Sequence, residues 1–135
     1  DISLLRMNLN SGEIVWAGAN NPLYIYSASF LRVINSTRQP ISFTDKVIPF
    51  KDHQFDYDPN AIYYLFSDGY IDQFGGPRGK KLKQIGFQTK LKEITEFPLN
   101  EQLVLLEEYF DAWKGDFDQL DDVTIIAIKS PGLIN

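Results

Sequence analysis

The chain has 135 residues, of which 44% are hydrophobic, 14% aromatic and 23% charged. One domain of this size can bury a core, and the aromatic and β-branched content excludes a disordered chain. The net charge of −5 argues against binding to nucleic acid or to an anionic membrane, because both need a basic surface. The absence of cysteine excludes disulfides, thiolate zinc sites and thiol nucleophiles, and it fits a cytoplasmic location.

The chain shows no signal for membrane insertion or export. No apolar run approaches the roughly 18 residues of a membrane-spanning helix, and the first residues lack the basic segment of a signal peptide. The first methionine, Met7, lies inside a strand-like alternation. We therefore expect the chain to be part of a longer polypeptide.

The first half of the chain predicts antiparallel strands joined by tight turns. Residues 10–12 and 27–29 are turn-forming and predict two hairpins, and Asp58-Pro59-Asn60 turns the chain into an apolar, buried central strand. Residues 35–46 predict a polar loop. The predicted strands are Ile2–Leu9, Glu13–Gly18, Leu23–Tyr26, Phe30–Ile34, Phe55–Tyr57 and Ala61–Phe66.

The second half predicts two helices and a last strand. Residues 73–79, with three glycines and a proline, predict an irregular loop, and Phe87, Leu91 and Ile94 follow helical spacing. An acidic loop over residues 116–122 precedes a last strand, Val123–Ile128. Strands followed by paired helices indicate an α+β fold. The second helix is predicted from an Asn100 N-cap, Glu101 in its first turn, a buried face of Leu103, Leu106, Phe110 and Trp113, and a terminal Gly115.

Four aspartates are candidate metal ligands. Asp68 directly follows the central strand, where a carboxylate needs a cationic partner, and Asp72 lies one helical turn further on. Asp121 and Asp122 precede the last strand, where alternation would send their side chains to opposite faces. Taken alone, Asp68 is better explained as a turn or helix cap, and Asp121 and Asp122 as part of a solvated acidic loop. Asp72 could orient a metal-bound water or be solvated. If Asp68 and Asp121 converge, they form an oxygen site for Mg²⁺ or Mn²⁺.

Other candidates are weaker. His53, the sole histidine, is predicted at a solvated strand start, and a serine-type triad lacks its Gly-x-Ser-x-Gly motif. The glycine-rich segment 75–81 lacks the spacing of a phosphate loop. Four cations lie in this segment or just after it, and they could attract an anionic phosphoprotein surface or simply be solvated: Arg78, Lys80, Lys81 and Lys83.

Four segments in series resemble the SpoIIE-like serine phosphatases of the metal-dependent PPM superfamily. They are the segment from Ala17 to Tyr24, Leu65-Phe66-Ser67-Asp68-Gly69-Tyr70 with the following Gln73-Phe74-Gly75-Gly76, Trp113-Lys114-Gly115, and Gln119-Leu120-Asp121-Asp122-Val123-Thr124. The resemblance implies an antiparallel β-sandwich flanked by helices. It also implies two Mn²⁺ or Mg²⁺ ions that activate a water to attack phosphoserine or phosphothreonine, without a catalytic residue beyond the metal ligands.

The resemblance assigns roles to particular residues. Asp68 and Asp121 match metal ligands of the family, and Asp72 and Asp122 are possible further ligands or orienting residues. The implied substrate is a phosphorylated bacterial signalling protein such as an anti-sigma-factor antagonist. The implied location is the cytoplasm, with no nucleic-acid partner.

The chain also departs from the family pattern. The family's upstream Asp-Gly-x-Gly-His-Gly-like segment, which bridges both metals, is absent from residues 1–135. We therefore expect residues 1–135 to be the C-terminal part of one domain, with at most one weak metal site, no activity alone, and self-association through apolar sheet surface around Trp16, Tyr24 and Tyr64. Two alternatives are a non-catalytic pseudophosphatase or regulatory module, and a β-rich domain with a structural Ca²⁺ in its acidic loop.

Overall fold

The computed structural model describes residues 1–42 and 47–134, which form two compact units. The first unit holds Asp1–Phe66 and the segment from Ile125 onward, and the second holds Ser67–Thr124. The strands are β1 (Ile2–Met7), β2 (Ile14–Ala19), β3 (Leu23–Ser27), β4 (Phe30–Ile34), β5 (His53–Phe55), β6 (Ile62–Phe66), β7 (Phe74–Gly75), β8 (Lys80–Lys81) and β9 (Ile125–Lys129). The helices are α1 (Gly69–Asp72), α2 (Lys83–Ile94) and α3 (Leu99–Lys114).

The first unit consists of two antiparallel sheets. Their strand orders in the described chain are β1-β2-β5 and β4-β3-β6-β9, and both predicted hairpins are present. A shared core joins the inner faces of the two sheets, because alternate residues of each strand point inward. Its buried members are Ile14, Trp16, Leu23, Ile25, Ala61 and Tyr63. The α+β class and the antiparallel sheets are therefore confirmed.

The second unit packs three helices and a small hairpin around an aromatic centre. The Tyr70 ring of α1 lies 4.9 Å from Phe87 of α2 and 5.1 Å from Phe110 of α3. Its hydroxyl donates to the Leu106 carbonyl oxygen at 2.9 Å, so the buried polar atom is satisfied. In the described part of the chain, no helix has both the length and the apolar character needed to cross a bilayer.

Several strand-level predictions differ from the structure. β5 starts at His53, two residues before the predicted Phe55, and β9 starts at Ile125 rather than Val123. Residues 73–79 were predicted as an irregular loop, but β7 pairs with β8 in a two-stranded hairpin. In the predicted loop 35–46, the backbone of Thr37 bridges that of Ala19, and residues 43–46 lie outside the described residues.

The predicted start and buried face of α3 are wrong in part. The N-cap is Pro98, so Asn100 lies inside the first turn, while Glu101 and the Gly115 end are confirmed. Leu106 and Phe110 are buried, but Leu103 is 56% exposed. Gln102 is buried in its place, because its amide donates to the Phe97 carbonyl oxygen at 2.8 Å at the connection between the helices.

The surface predicted to drive self-association is also misplaced. Trp16, Tyr24 and Tyr64 each have 0% exposure, because they point into the interior. The exposed apolar side chains of the sheets lie elsewhere, among them Ile2 and Leu4 on β1 and Phe30 on β4.

Candidate metal centre

Ser67 fastens the end of β6 to the segment that precedes β9. Its backbone N–H donates to the Thr124 carbonyl oxygen at 2.9 Å, and its hydroxyl accepts from the Thr124 N–H at 3.0 Å. The same hydroxyl donates to the Asp122 carbonyl oxygen at 3.0 Å. One small polar side chain therefore ties two segments of the chain that lie more than fifty residues apart.

Gly69 allows the same two segments to approach closely. A Cβ atom at Gly69 would lie 2.3 Å from the Asp122 carbonyl oxygen and 2.9 Å from its carbonyl carbon. Real Cβ atoms do not come this near to backbone atoms, so only glycine fits without a shift of the chain. Gly69 is not among the residues with positive φ, so close approach, and not an unusual backbone angle, explains the glycine.

Asp68 lies between these two contact residues. It is the N-cap residue of α1, its carbonyl oxygen accepts from the Asp72 N–H at 2.9 Å, and its carboxylate makes no capping hydrogen bond. The side chain is partly buried and has no ion pair within residues 1–42 and 47–134. Because the backbone of Asp68 is fixed and its carboxylate has no ion pair in the described chain, the carboxylate is available to bind a ligand.

The Asp121–Asp122 pair lies in an exposed turn before β9. The Asp122 N–H donates to Oδ1 of Asp121 at 2.7 Å, and the Gln119 side-chain amide donates to the Asp121 carbonyl oxygen at 2.9 Å. Because β9 starts only at Ile125, the predicted strand alternation of these two side chains is wrong. A local turn sets their directions instead.

Asp72 is occupied by an ion pair. Its Oδ2 atom lies 2.9 Å from Nζ of Lys81, with both side chains about half exposed. The predicted placement of Asp72 one helical turn after Asp68 is confirmed by the backbone hydrogen bond between them. The ion pair between Asp72 and Lys81 therefore joins α1 to β8.

The donor set suits a hard divalent cation, but only as part of a coordination sphere. The side-chain donors of Asp68, Asp121 and Asp122 are carboxylate oxygens, the ligands that Mg²⁺ and Mn²⁺ prefer. Among the described residues, no group of three or more His, Asp or Glu side chains is gathered closely enough to hold a metal ion. Water or further protein ligands would have to complete the sphere.

Two residues that the sequence placed in family-like segments, but without a role, shape this region through their side-chain hydrogen bonds. Gln73 is 1% exposed, and its amide nitrogen donates at 2.9 Å to the carbonyl oxygens of Phe74 and Asp118. The indole nitrogen of Trp113 donates to the Gln73 carbonyl oxygen at 3.1 Å. These bonds hold the acidic loop on the hairpin. The sequence shows that Gln73 stands next to the aromatic Phe74, but it does not show which carbonyl groups the Gln73 amide bonds.

His53 and the glycine-rich segment do not join the candidate centre. His53 lies in the first unit, partly buried against Trp16 at a ring distance of 5.5 Å. Burial, and then the nearby Lys51 charge, lower the pKa of its imidazole. The glycine-rich segment forms the β7–β8 hairpin, not a phosphate loop.

Comparison with known proteins identifies the class. The fold is similar to the SiaA-PP2C domain of Pseudomonas aeruginosa, with a TM-score of 0.79, 25% identity, and coverage of 87% of this chain and 46% of that chain. It is also similar to the phosphatase domain of the cell fate determinant SpoIIE from Bacillus subtilis, with a TM-score of 0.69, 15% identity, and coverage of 99% and 60%. A Mn-presoaked structure of that domain gives a TM-score of 0.65 at 16% identity, with coverage of 95% and 55%. The fold is thus that of a PP2C-type phosphatase domain.

The family follows from the sequence itself. The family described as Stage II sporulation protein E (SpoIIE) matches residues 1–131, so the chain belongs to the SpoIIE family. No curated protein matches the chain significantly. The chain spans about half the length of the solved domains that it resembles.

Proposed function

We propose that this chain forms the C-terminal half of a phosphatase domain that hydrolyses phosphoserine or phosphothreonine in a bacterial signalling protein. An anti-sigma-factor antagonist is the expected kind of substrate. The proposal includes Mn²⁺ or Mg²⁺ as cofactor, Asp68 and Asp121 as ligands, and a cytoplasmic location. Membership of the SpoIIE family supports a phosphatase-type function.

The observation that carries this proposal is the contact between the two aspartate-bearing segments. Asp68 lies between Ser67 and Gly69, and both of these residues contact the backbone of Asp122. Segments that are distant in sequence are thus joined where both carry carboxylates. A turn or a solvated loop would need neither the Ser67 bond nor a glycine at position 69.

In this proposal, residues of the chain hold the cation and fix the distance between its ligands. The carboxylate of Asp68, which makes no capping hydrogen bond in the described chain, and the carboxylate of Asp121 would hold the cation, while Ser67 and Gly69 would fix the spacing of the two segments. When bound, such ions lower the pKa of a water and neutralise phosphoryl oxygens. Because two carboxylates leave most coordination positions to water, we expect weak binding of one ion to the chain alone.

The test uses the complete domain that contains this chain. Asp68→Asn should reduce Mn²⁺-dependent phosphate release from a phosphoserine peptide by about a hundredfold or more, since even residues that only support ligands cost 10–100-fold. Asp116→Asn is the control, because it makes the same change of charge at an exposed position of the acidic loop 116–122. Full activity of Asp68→Asn would exclude it as a ligand.

The alternative is a domain that keeps the fold and binds a partner without hydrolysis. It predicts no phosphate release by the complete domain, in any of Mn²⁺, Mg²⁺ and Ca²⁺, together with retained binding to the phosphorylated partner. The same assay therefore separates the two functions. Tighter binding of Ca²⁺ than of Mn²⁺ in calorimetry would instead favour a structural calcium site.

A further inference from the structure

The charges of the second unit are strongly segregated along the chain. Residues 73–92 carry six basic side chains and no acidic one, whereas residues 93–122 carry ten acidic side chains and a single basic one. The first stretch includes the β7–β8 hairpin and most of α2. A basic surface on a chain of net charge −5 is a local feature that overall composition conceals.

Four of these six cations form no ion pair within the described structure. Lys81 pairs with Asp72, and Nζ of Lys90 lies 3.7 Å from Glu93 and over the Tyr109 ring. The side chains of the four others, Arg78, Lys80, Lys83 and Lys92, are exposed and form no ion pair in residues 1–42 and 47–134. Three of the four lie in the β7–β8 hairpin or at the first residue of α2, and we name them the basic face: Arg78, Lys80 and Lys83.

The hairpin that carries the basic face is firmly held. The Gly76 N–H donates to the Trp113 carbonyl oxygen at 2.7 Å, and the Gly79 N–H closes the turn onto Gly76 at 3.1 Å. Strand alternation separates the adjacent lysines, so Lys81 pairs with the half-exposed Asp72 while Lys80 is exposed on the other face of β8. The cations therefore project from a backbone that does not need to be ordered on binding.

The same hairpin adjoins the Asp68 segment. Lys81 of β8 binds Asp72, whose N–H donates to the Asp68 carbonyl oxygen across one turn of α1. Four residues of helix correspond to about 6 Å. The hairpin next to the basic face is thus one ion pair and one helical turn away from Asp68, within the same unit.

We propose that the basic face is the docking surface for an acidic segment of the phosphorylated protein substrate, next to the phosphoserine. This inference rests on the proposed phosphatase function and deepens it by naming the chemistry that selects the substrate. Exposed cations in the same unit as the proposed metal ligands would attract an acidic segment and raise its local concentration. The substrate is therefore a phosphoprotein with aspartate or glutamate close to its phosphorylated residue.

An acidic protein segment fits better than a membrane or a nucleic acid. Both of those are extended polyanions, and the ten acidic side chains of residues 93–122 would repel them. Exposed charges act over only about 8 Å at physiological ionic strength, which favours a short segment that contacts the hairpin alone. Three lysine or arginine side chains are also few for a stable membrane surface contact.

The experiment measures binding by the 135-residue chain and requires no hydrolysis. A fluorescent peptide with one phosphoserine flanked by aspartate and glutamate is titrated with the chain, and anisotropy gives Kd at several salt concentrations. The triple variant Arg78→Gln, Lys80→Gln, Lys83→Gln should weaken binding by roughly five- to thirtyfold and flatten the salt dependence. The titrations are run in EDTA, so binding does not depend on the proposed metal ligands, and failure of docking and failure of the metal assignment are distinguishable.

A matched control localises the effect. Lys80→Glu should weaken binding more than Lys92→Glu, an equal charge change in the last turn of α2, about 14 Å along the helix from Lys83. Unchanged affinity in the triple variant, equal weakening by Lys92→Glu, or no binding of the peptide to the unmodified chain would each overturn the proposal. So would equal or tighter binding to phosphatidylserine vesicles that depends on the same three cations.

Discussion

At the scale of single residues, Gly69 determines how closely the two aspartate-bearing segments approach. Gly69→Ala would place a methyl group 2.3 Å from the Asp122 carbonyl oxygen, so the loop must move. We expect a loss of roughly 1–3 kcal/mol in the free energy of unfolding, measured by urea denaturation, and loss of Mn²⁺ binding in calorimetry. Gly132→Ala is the control, because in the described chain no atom beyond its two sequence neighbours lies within 4 Å of its added Cβ. Wild-type metal binding by Gly69→Ala would contradict the proposed spacing.

His53 gives the first unit a pH dependence of predictable sign. Burial and the Lys51 charge lower the pKa of His53 from its usual 6.5, so the unfolded chain binds the proton more readily. The stabilisation is present above about pH 6.5 and is lost as the pH falls through the lower, folded-state pKa. His53→Gln should flatten the fall in the free energy of unfolding between about pH 7 and pH 5. An unchanged pH profile would show that His53 titrates normally in the folded chain.

At the scale of elements, the turn between β3 and β4 is built from unfavourable residues. Ala28 has φ of 49° and Ser29 has φ of 62°, the left-handed values of a hairpin turn that prefers Asn-Gly. The double substitution Ala28→Asn, Ser29→Gly should raise the free energy of unfolding by about 1 kcal/mol, since each non-glycine residue there is strained. Thermal melting measures the change. A lower melting temperature would mean that the turn differs from the one described.

Elements with a long pattern could be predicted from the sequence, and short ones could not. The two hairpins of the first unit and helix α2 carry period-two or helical repeats, and each is present. Helix α1 has four residues, and β7 and β8 have two each, which is too short for a period. The buried face of α3 was predicted wrongly at Leu103. Hydrophobicity alone does not indicate that Gln102 is buried there, where its amide bonds a backbone carbonyl group.

In the candidate metal centre, too, the local motifs could be predicted from the sequence and the long-range contacts could not. The Ser-Asp-Gly and Asp-Asp motifs were recognisable because their chemistry and family resemblance are local. The Ser67 bond to Asp122 joins residues 55 positions apart, and the hairpin beside Asp68 depends on Trp113 and Gln73. Such contacts are set by tertiary packing, so only the structure reveals them.

At the scale of the whole molecule, the edge strand β1 exposes two large apolar side chains. In the described chain β1 pairs only with β2, and its outward side chains include Ile2, 52% exposed, and Leu4, 66% exposed. An apolar edge strand with unpaired backbone groups is a template for pairing with another chain. This surface replaces the one predicted around Trp16, Tyr24 and Tyr64, which is buried.

We therefore expect the 135-residue chain to self-associate through β1. Light scattering should detect a species larger than the 15.5 kDa monomer, in an amount that increases with concentration. Leu4→Lys should return the chain towards the monomer, because a charged side chain on an edge strand opposes pairing between copies. Leu103→Lys provides the matched control, since Leu103 is 56% exposed but lies on α3. A monomeric unmodified chain at all concentrations, or equal dissociation by Leu103→Lys, would exclude β1 as the surface through which copies associate.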